Sequence, residues 1–298
     1  MSAPETPAPP ARAGAEIGMM AVVLIWGANF TITKAALPYL PPLPFTAIRF
    51  AIATLALVLL LRFLEPKAAI TKSTWLKLIL IGLIGNTLYQ PLFIFGLANT
   101  TATNCAVIIG SLPGIVALLA WLFRIERVSA LVGSGIALSL AGVFLVVGAN
   151  GVALGGNTTR GDLLTVAAVF CWAAYTLGLR RVDPTLSPLR ITTITTASGA
   201  PGLILMGLPG VMSLNFATVP SGAWAALLYA SLFSVVAAYY FYNTAVQRLG
   251  ASRASVFSCL IPLVGVFVAW AFLGERPVPM QAIGATLVII GVWMTRKR

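Results

Sequence analysis

Ten apolar runs succeed one another along this chain, near residues 17–37, 43–63, 74–97, 102–123, 129–148, 162–180, 188–208, 221–246, 251–273 and 279–295. Each is close to the roughly 20 residues that a helix needs to cross the hydrocarbon core of a bilayer, and Pro, Gly or charged clusters separate one from the next. A soluble domain carries roughly 25% charged residues; here 9% are charged and 59% are hydrophobic. A water-soluble enzyme is excluded, and the expected fold is an all-α polytopic membrane protein with ten transmembrane helices.

The formal charge of +12 would suggest nucleic acid in a soluble protein. The placement of the basic residues argues otherwise. With ten spans both termini share a side, and that side collects Arg12, Arg62, Lys67, Lys72, Lys77, Arg124, Arg127, Arg180, Arg181, Arg190, Arg248, Arg253, Arg296, Lys297 and Arg298. The opposite side holds Lys34, Arg160 and Arg276, and Arg49 lies inside the second run. Cytoplasmic loops are enriched in Lys and Arg, so both termini are expected in the cytoplasm of a multi-pass protein of the bacterial inner membrane. Orientation accounts for the charge, and no nucleic-acid partner is expected. Residues 1–15 are rich in Pro and Ala without apolar period, which predicts a disordered cytoplasmic tail rather than a signal peptide.

Sliding the chain on itself exposes a repeat. At one offset Glu16 falls on Asp162, Trp26 on Trp172, Lys34 on Arg180 and Pro38 on Pro184. After a short insertion Trp75 falls on Trp224, Pro113 on Pro262, Trp121 on Trp270, Glu126-Arg127 on Glu275-Arg276, Gly135 on Gly284 and Gly142 on Gly291. Chance seldom sets tryptophan on tryptophan repeatedly. The unit is five helices, over 16–148 and 161–296, and an odd number of helices makes the second copy enter the membrane from the other side. Two inverted copies related by a pseudo-two-fold in the membrane plane can exchange conformations, which is the architecture of secondary transporters.

Trp26-Gly-Ala-Asn29, Cys171-Trp-Ala-Ala-Tyr175 and Leu273-Gly-Glu-Arg-Pro277, the last following a Pro-containing ninth helix, resemble the ten-helix metabolite exporters of the drug/metabolite transporter superfamily. The resemblance spans nearly the whole chain beyond the tail, and the branch most alike is that of the aromatic and neutral amino acid exporters. The counterpart of Leu273-Gly-Glu-Arg in the first half reads Phe123-Arg-Ile-Glu-Arg127, a departure from the pattern. The resemblance implies export of small amino acids or related metabolites by alternating access. The alternative is the same fold carrying another solute, such as a nucleoside, sugar or lipophilic drug. A phosphate carrier would want more than one cationic side chain in its cavity, and Arg49 is the sole candidate.

Polar groups at depth in lipid are costly, so their positions point to a binding site. Asn86, Tyr89, Gln90 and Phe93 recur at helical spacing on one face of the third helix, and in the repeat Gln90 and Phe93 correspond to Tyr239 and Tyr242 of the eighth, beside Asn243. Trp26 and Asn29 of the first helix match Trp172 and Tyr175 of the sixth. Pseudo-symmetry turns these faces toward each other, and together with Arg49 they form the expected substrate-binding set. An aromatic lining suits a zwitterion with an apolar side chain. Arg49 could hold a substrate carboxylate or snorkel to the external interface. Pro113 with Gly114, and Pro262 with Gly265, interrupt matching helices and are candidate hinges. Trp75, Trp121, Trp224, Trp270 and Trp293, near span ends, read as interfacial anchors, and the paired glycines of the fifth and tenth helices as close-packing positions.

No catalytic site, metal or cofactor is expected. The chain has no His, and Cys105, Cys171 and Cys259 lie in apolar runs without metal-ligand spacing. No nucleophile–base pair stands at depth, so the chain is not read as an enzyme. The acids Glu5, Glu16, Glu65, Glu126, Asp162, Asp183 and Glu275 fall outside the runs or at their ends, which favours downhill efflux over a buried carboxylate relay; Glu16 and Asp162 read as favourable charges at positive helix N-termini.

Overall fold

The computed structural model describes residues 9–123, 130–148, 158–251, 254, 257–276 and 278–295. Among them every regular element is helical. In chain order these are α1 (Pro9–Ala36), α2 (Pro42–Leu64), α3 (Lys72–Ala98), the bent α4 (Ala102–Gly110 and Leu112–Leu122), α5 (Ala130–Gly148), α6 (Thr159–Leu179), α7 (Pro188–Met212), α8 (Ser221–Leu249), α9 (Ile261–Leu273, after a 3₁₀ turn at Ser258–Leu260) and α10 (Pro279–Thr295). Six of them, α1, α2, α3, α6, α7 and α8, are long and apolar enough to cross a membrane, and α4 makes a seventh if its two halves count as one span. With Phe63, Phe144 and Phe272 among many large apolar side chains facing outward, the chain is a multi-pass membrane protein.

Local chemistry sets the helix ends. The hydroxyls of Thr71, Thr101 and Ser187 accept from the backbone N–H three residues on, capping α3, α4 and α7, and α2 opens with Pro42 in its first turn. α9 stops at Gly274, whose φ of 66° is left-handed and favours glycine. α1 begins at Pro9, so the helix reaches back into the stretch expected as a tail; Ala-rich sequence after a Pro pair is a good helix start. Residues 1–8 lie outside the described residues.

Two helices depart from α geometry in the same part of their length. α3 contains a π-helical segment at Leu83–Leu88, and α8 one at Ala230–Ala237. A π segment adds a residue to the turn, releases backbone carbonyls from the regular ladder and rotates whatever follows. The halves of α4 meet at 40° around Ser111, with Pro113 in the first turn of the second half, and Ser111 Oγ donates to the carbonyl of Ile108 at the break. In α9 Pro262 likewise sits in the first turn.

The packing is paired. α2 lies along α7 and α5 along α10, while α1 is held between α8 and α9 and α6 between α3 and α4. The α5/α10 contact is reciprocal: a Cβ added at Gly142 would stand 2.5 Å from the Gly284 carbonyl oxygen, and one at Gly291 would stand 2.5 Å from that of Gly135. These glycines permit a backbone-to-backbone approach that any larger residue would block. Gly110, at the α4 break, is pressed against Pro262 of α9, so the two interrupted helices touch at their interruptions.

Candidate functional site

At the centre of the bundle is a cavity walled by α1, α2, α3, α4, α6, α8 and α9. It encloses about 520 Å³ free of protein atoms, mouth included. Trp26, Asn29 and Phe30 come from α1, Arg49 from α2, Tyr89, Gln90 and Phe93 from α3, Val169 and Trp172 from α6, and Ser234 and Tyr239 from α8. Ile109 and Leu112 from either side of the α4 break, with Ser258 and Ile261 from the start of α9, complete it.

The aromatic wall is continuous. Trp172 lies with its ring centre 5.5 Å from Trp26, edge to face, 5.0 Å from Tyr89 and 5.1 Å from Tyr239, and Tyr89 stacks on Phe93 at 5.6 Å. Each such pair contributes about 0.5–1.5 kcal/mol beyond its buried area. The polar tips are positioned by hydrogen bonds across the bundle. Trp26 Nε1 donates to the Ser234 carbonyl at 3.0 Å, and Gln90 Nε2 donates to Tyr239 Oη at 2.9 Å, joining two positions that correspond in the sequence repeat.

Arg49 is 2% exposed. Its Nε donates to the Ala230 carbonyl at 3.1 Å and its Nη2 to Ser234 Oγ at 3.3 Å, so both partners lie in the π segment of α8. Side-chain donors thus reach two carbonyls within the π segment, Arg49 that of Ala230 and Trp26 that of Ser234. The alternative in which Arg49 snorkels to an interface is overturned, because neighbouring carbonyl and hydroxyl groups hold its head inside. Arg49 Nη1, Gln90 Oε1 and Ser258 Oγ are buried without a hydrogen-bond partner among the described residues.

Of the ten residues expected to bind substrate, Trp26, Asn29, Arg49, Tyr89, Gln90, Trp172 and Tyr239 line this cavity. Asn86, Tyr175 and Tyr242 do not. Asn86 sits in the π segment just before Tyr89, and the altered turn swings it onto α7, where Nδ2 donates to the Thr195 carbonyl at 2.8 Å. Tyr175 stacks behind Trp172 at 4.7 Å, over Gly85, and its hydroxyl donates to Asn243 at 3.0 Å. Tyr242 shares a 2.8 Å hydrogen bond with Thr176. They form a supporting layer rather than a wall. Ser234 and Ser258, which sequence reasoning passed over, supply polar groups to the wall; nothing in spacing marks a lone serine in an apolar run.

One end of the bundle is tied by a second polar cluster. Glu275, beyond α9, accepts from the backbone N–H groups of Ala102 and Thr103 at 2.9 Å each, capping α4. Asp162, in the first turn of α6, accepts from Thr100 Oγ1 and, at 3.1 Å, from Asn104 Nδ2, while Gln281 of α10 donates to Asn104 Oδ1. Lys34 of α1 donates to the carbonyls of Leu97 and Thr100 at the end of α3. Asp162 stands where a favourable charge at a helix N-terminus is expected, and its side chain is in addition buried against Thr100 and Asn104. The anchors Trp75, Trp121, Trp270 and Trp293 are exposed on the outer surface, whereas Trp224 is half-buried against Phe216. The structure places Pro113 in the first turn of the second half of α4, beside the break, and Pro262 in the first turn of α9, beside the 3₁₀ turn, with Gly114 and Gly265 within the helices that follow.

The chain matches the EamA-like transporter family twice, over residues 14–148 and 159–296. It is 31% identical to the uncharacterized transporter YyaM of Bacillus subtilis over 93% of this chain and 91% of that protein. A "probable amino-acid metabolite efflux pump" of Salmonella typhimurium is 25% identical over 92% of this chain and 91% of its own, and a "probable terminal-alkyne amino-acid exporter" of Streptantibioticus cattleyicolor is 28% identical over 74% and 72%. A solved crystal structure, 18% identical, superposes with a TM-score of 0.67 over 96% of this chain and 98% of that one, a likeness of fold.

Proposed function

The chain belongs to the EamA-like transporter family, and from that premise we propose that it exports small amino acids, aromatic and neutral ones included, across the bacterial inner membrane by alternating access. The observation that carries this reading is the central cavity, where the rings of Trp26, Tyr89, Trp172 and Tyr239 surround buried polar atoms that no described residue satisfies. Such a lining pairs ring faces with an apolar side chain or an ammonium and polar atoms with the amino acid head. Relatives named as a probable amino-acid exporter and a probable amino-acid metabolite efflux pump support it.

In this reading the ten helices are ten spans in two inverted repeats, 16–148 and 161–296, and both termini are cytoplasmic. The two family matches, the paired π segments and the reciprocal α5/α10 glycine contacts support the repeat. Pro113 with Gly114 and Pro262 with Gly265 are the hinges at which α4 and α9 bend, and the cluster around Asp162 and Glu275 closes the periplasmic end. The test is counterflow into proteoliposomes of purified protein across a panel of labelled amino acids, with and without a pH gradient. Uptake of apolar and aromatic amino acids above empty liposomes is expected; failure across the panel while a nucleoside or sugar is carried would overturn the assignment.

A further inference from the structure

Arg49 carries a full charge into the middle of the bundle. A guanidinium has five N–H donors and no proton to give up. Two of its nitrogens are spent on neutral acceptors, the Ala230 carbonyl and Ser234 Oγ, and Nη1 is left without a partner among the described residues. No acidic side chain is among the described residues of the cavity wall. Bracing α2 to the π segment of α8 needs a donor pair but no charge, and a charge at this depth costs about 2.5–3.5 kcal/mol on insertion scales. A structural brace could have been an amide.

The other unsatisfied atoms complement it. Gln90 spends its amide N–H on Tyr239 Oη, which leaves Oε1 as an acceptor, and Ser258 Oγ adds a hydroxyl. Resting on the transport reading of this cavity, we propose that Arg49 is an anion anchor: the solute must present a carboxylate to Nη1, with Gln90 Oε1 receiving an ammonium where the solute has one and the aromatic wall holding its apolar part. The carboxylate is obligatory and the amine is not. Acids lacking the amine are therefore carried, and amines or neutral amides of the same skeleton are not.

The test is binding to the purified full chain in nanodiscs, read by isothermal titration with four compounds of one skeleton: phenylalanine, 3-phenylpropionate, phenylethylamine and phenylalaninamide. The two carboxylates should bind at least tenfold more tightly than the amine and the amide. Arg49→Gln should erase that preference, Arg49→Lys should retain part of it, and Gln90→Leu should weaken phenylalanine while leaving 3-phenylpropionate within about twofold. Equal binding of amine and acid to the unaltered protein would overturn the anchor and leave the transport cavity standing, as would Arg49→Gln with its preference intact. Binding of none of the four, alongside binding of a nucleoside or sugar, would overturn the amino-acid assignment on which the anchor rests. Should Arg49→Gln fail to fold, the unaltered protein's preference and the Lys variant decide.

Discussion

Trp172 is the side chain on which the aromatic wall converges, since it meets Trp26, Tyr89 and Tyr239 within 5.5 Å and stacks on Tyr175 behind. Replacing it by Ala removes a ring face from the cavity and the support of the others. Loss of one ring contact costs about 0.5–2 kcal/mol, so Trp172→Ala, Tyr89→Ala and Tyr239→Ala should each weaken substrate affinity a few-fold to about thirtyfold in counterflow assays. Gln90→Ala belongs with them, because it frees Tyr239 as well as removing an acceptor. Trp75→Ala, on the outer surface, should change protein abundance rather than affinity. The reverse pattern would move the site to other helices. Most of this wall was legible in the sequence because repeat symmetry and helical spacing both act on regular helices. Asn86 was misplaced for the same reason: the spacing rule assumes an α-helix, and the turn before Tyr89 is π.

Helix positions were more legible than helix faces. A bilayer demands about 20 apolar residues per crossing, so the runs near 43–63, 188–208 and 279–295 announce α2, α7 and α10 almost to their ends. The π segment of α8 carries no such mark: Ala-Ser-Leu-Phe-Ser-Val-Val-Ala has neither Gly nor Pro, and the side chains of Arg49 and Trp26 that donate to its carbonyls come from helices far away in the chain. Glycine spacing was legible in kind, and the structure adds its strength. Gly142→Ala would drive a methyl into the Gly284 carbonyl at 2.5 Å and the Val288 amide at 2.8 Å, backbone atoms that cannot rotate aside. Overpacking of this kind costs about 1–3 kcal/mol, so Gly142→Ala and Gly291→Ala should each lower the melting temperature of the detergent-solubilised protein. Gly222→Ala, where an added Cβ meets nothing within 4 Å, should leave it unchanged or raise it slightly. Equal melting of all three variants would mean that the α5/α10 seam is not close-packed.

At the scale of the molecule, a carrier working by alternating access needs two closures that are never both open, and the proposed inverted repeat would supply one at each end of the bundle. The tie made by Asp162, Glu275, Asn104, Gln281 and Lys34 joins α1, α4, α6 and α10 at one end, expected to be periplasmic. Of the residues that the sequence repeat sets against it, Glu16 stands near the start of α1 and Arg180 just past the end of α6, each at the opposite end of its helix from Lys34 and Asp162; Glu126 and Arg253 lie outside the described residues. Only interactions present in one state and absent in the other shift the balance between states. Hydrogen bonds to charged groups are worth about 1.5–3 kcal/mol each, so Glu275→Gln, which weakens the two made with the α4 N-terminus, should favour periplasmic opening by on the order of tenfold. Asp162→Asn should act in the same direction. The measurement is the rate at which a membrane-impermeant thiol reagent, added from the periplasmic side, labels Ser234→Cys in a variant lacking Cys105, Cys171 and Cys259. Faster labelling in both variants, with slower labelling from the cytoplasmic side, is the expected result, because a reciprocal change distinguishes a shifted equilibrium from a loosened fold. Faster labelling from both sides would show that the cluster holds the bundle together without gating it, and labelling unchanged from either side would place the closure elsewhere.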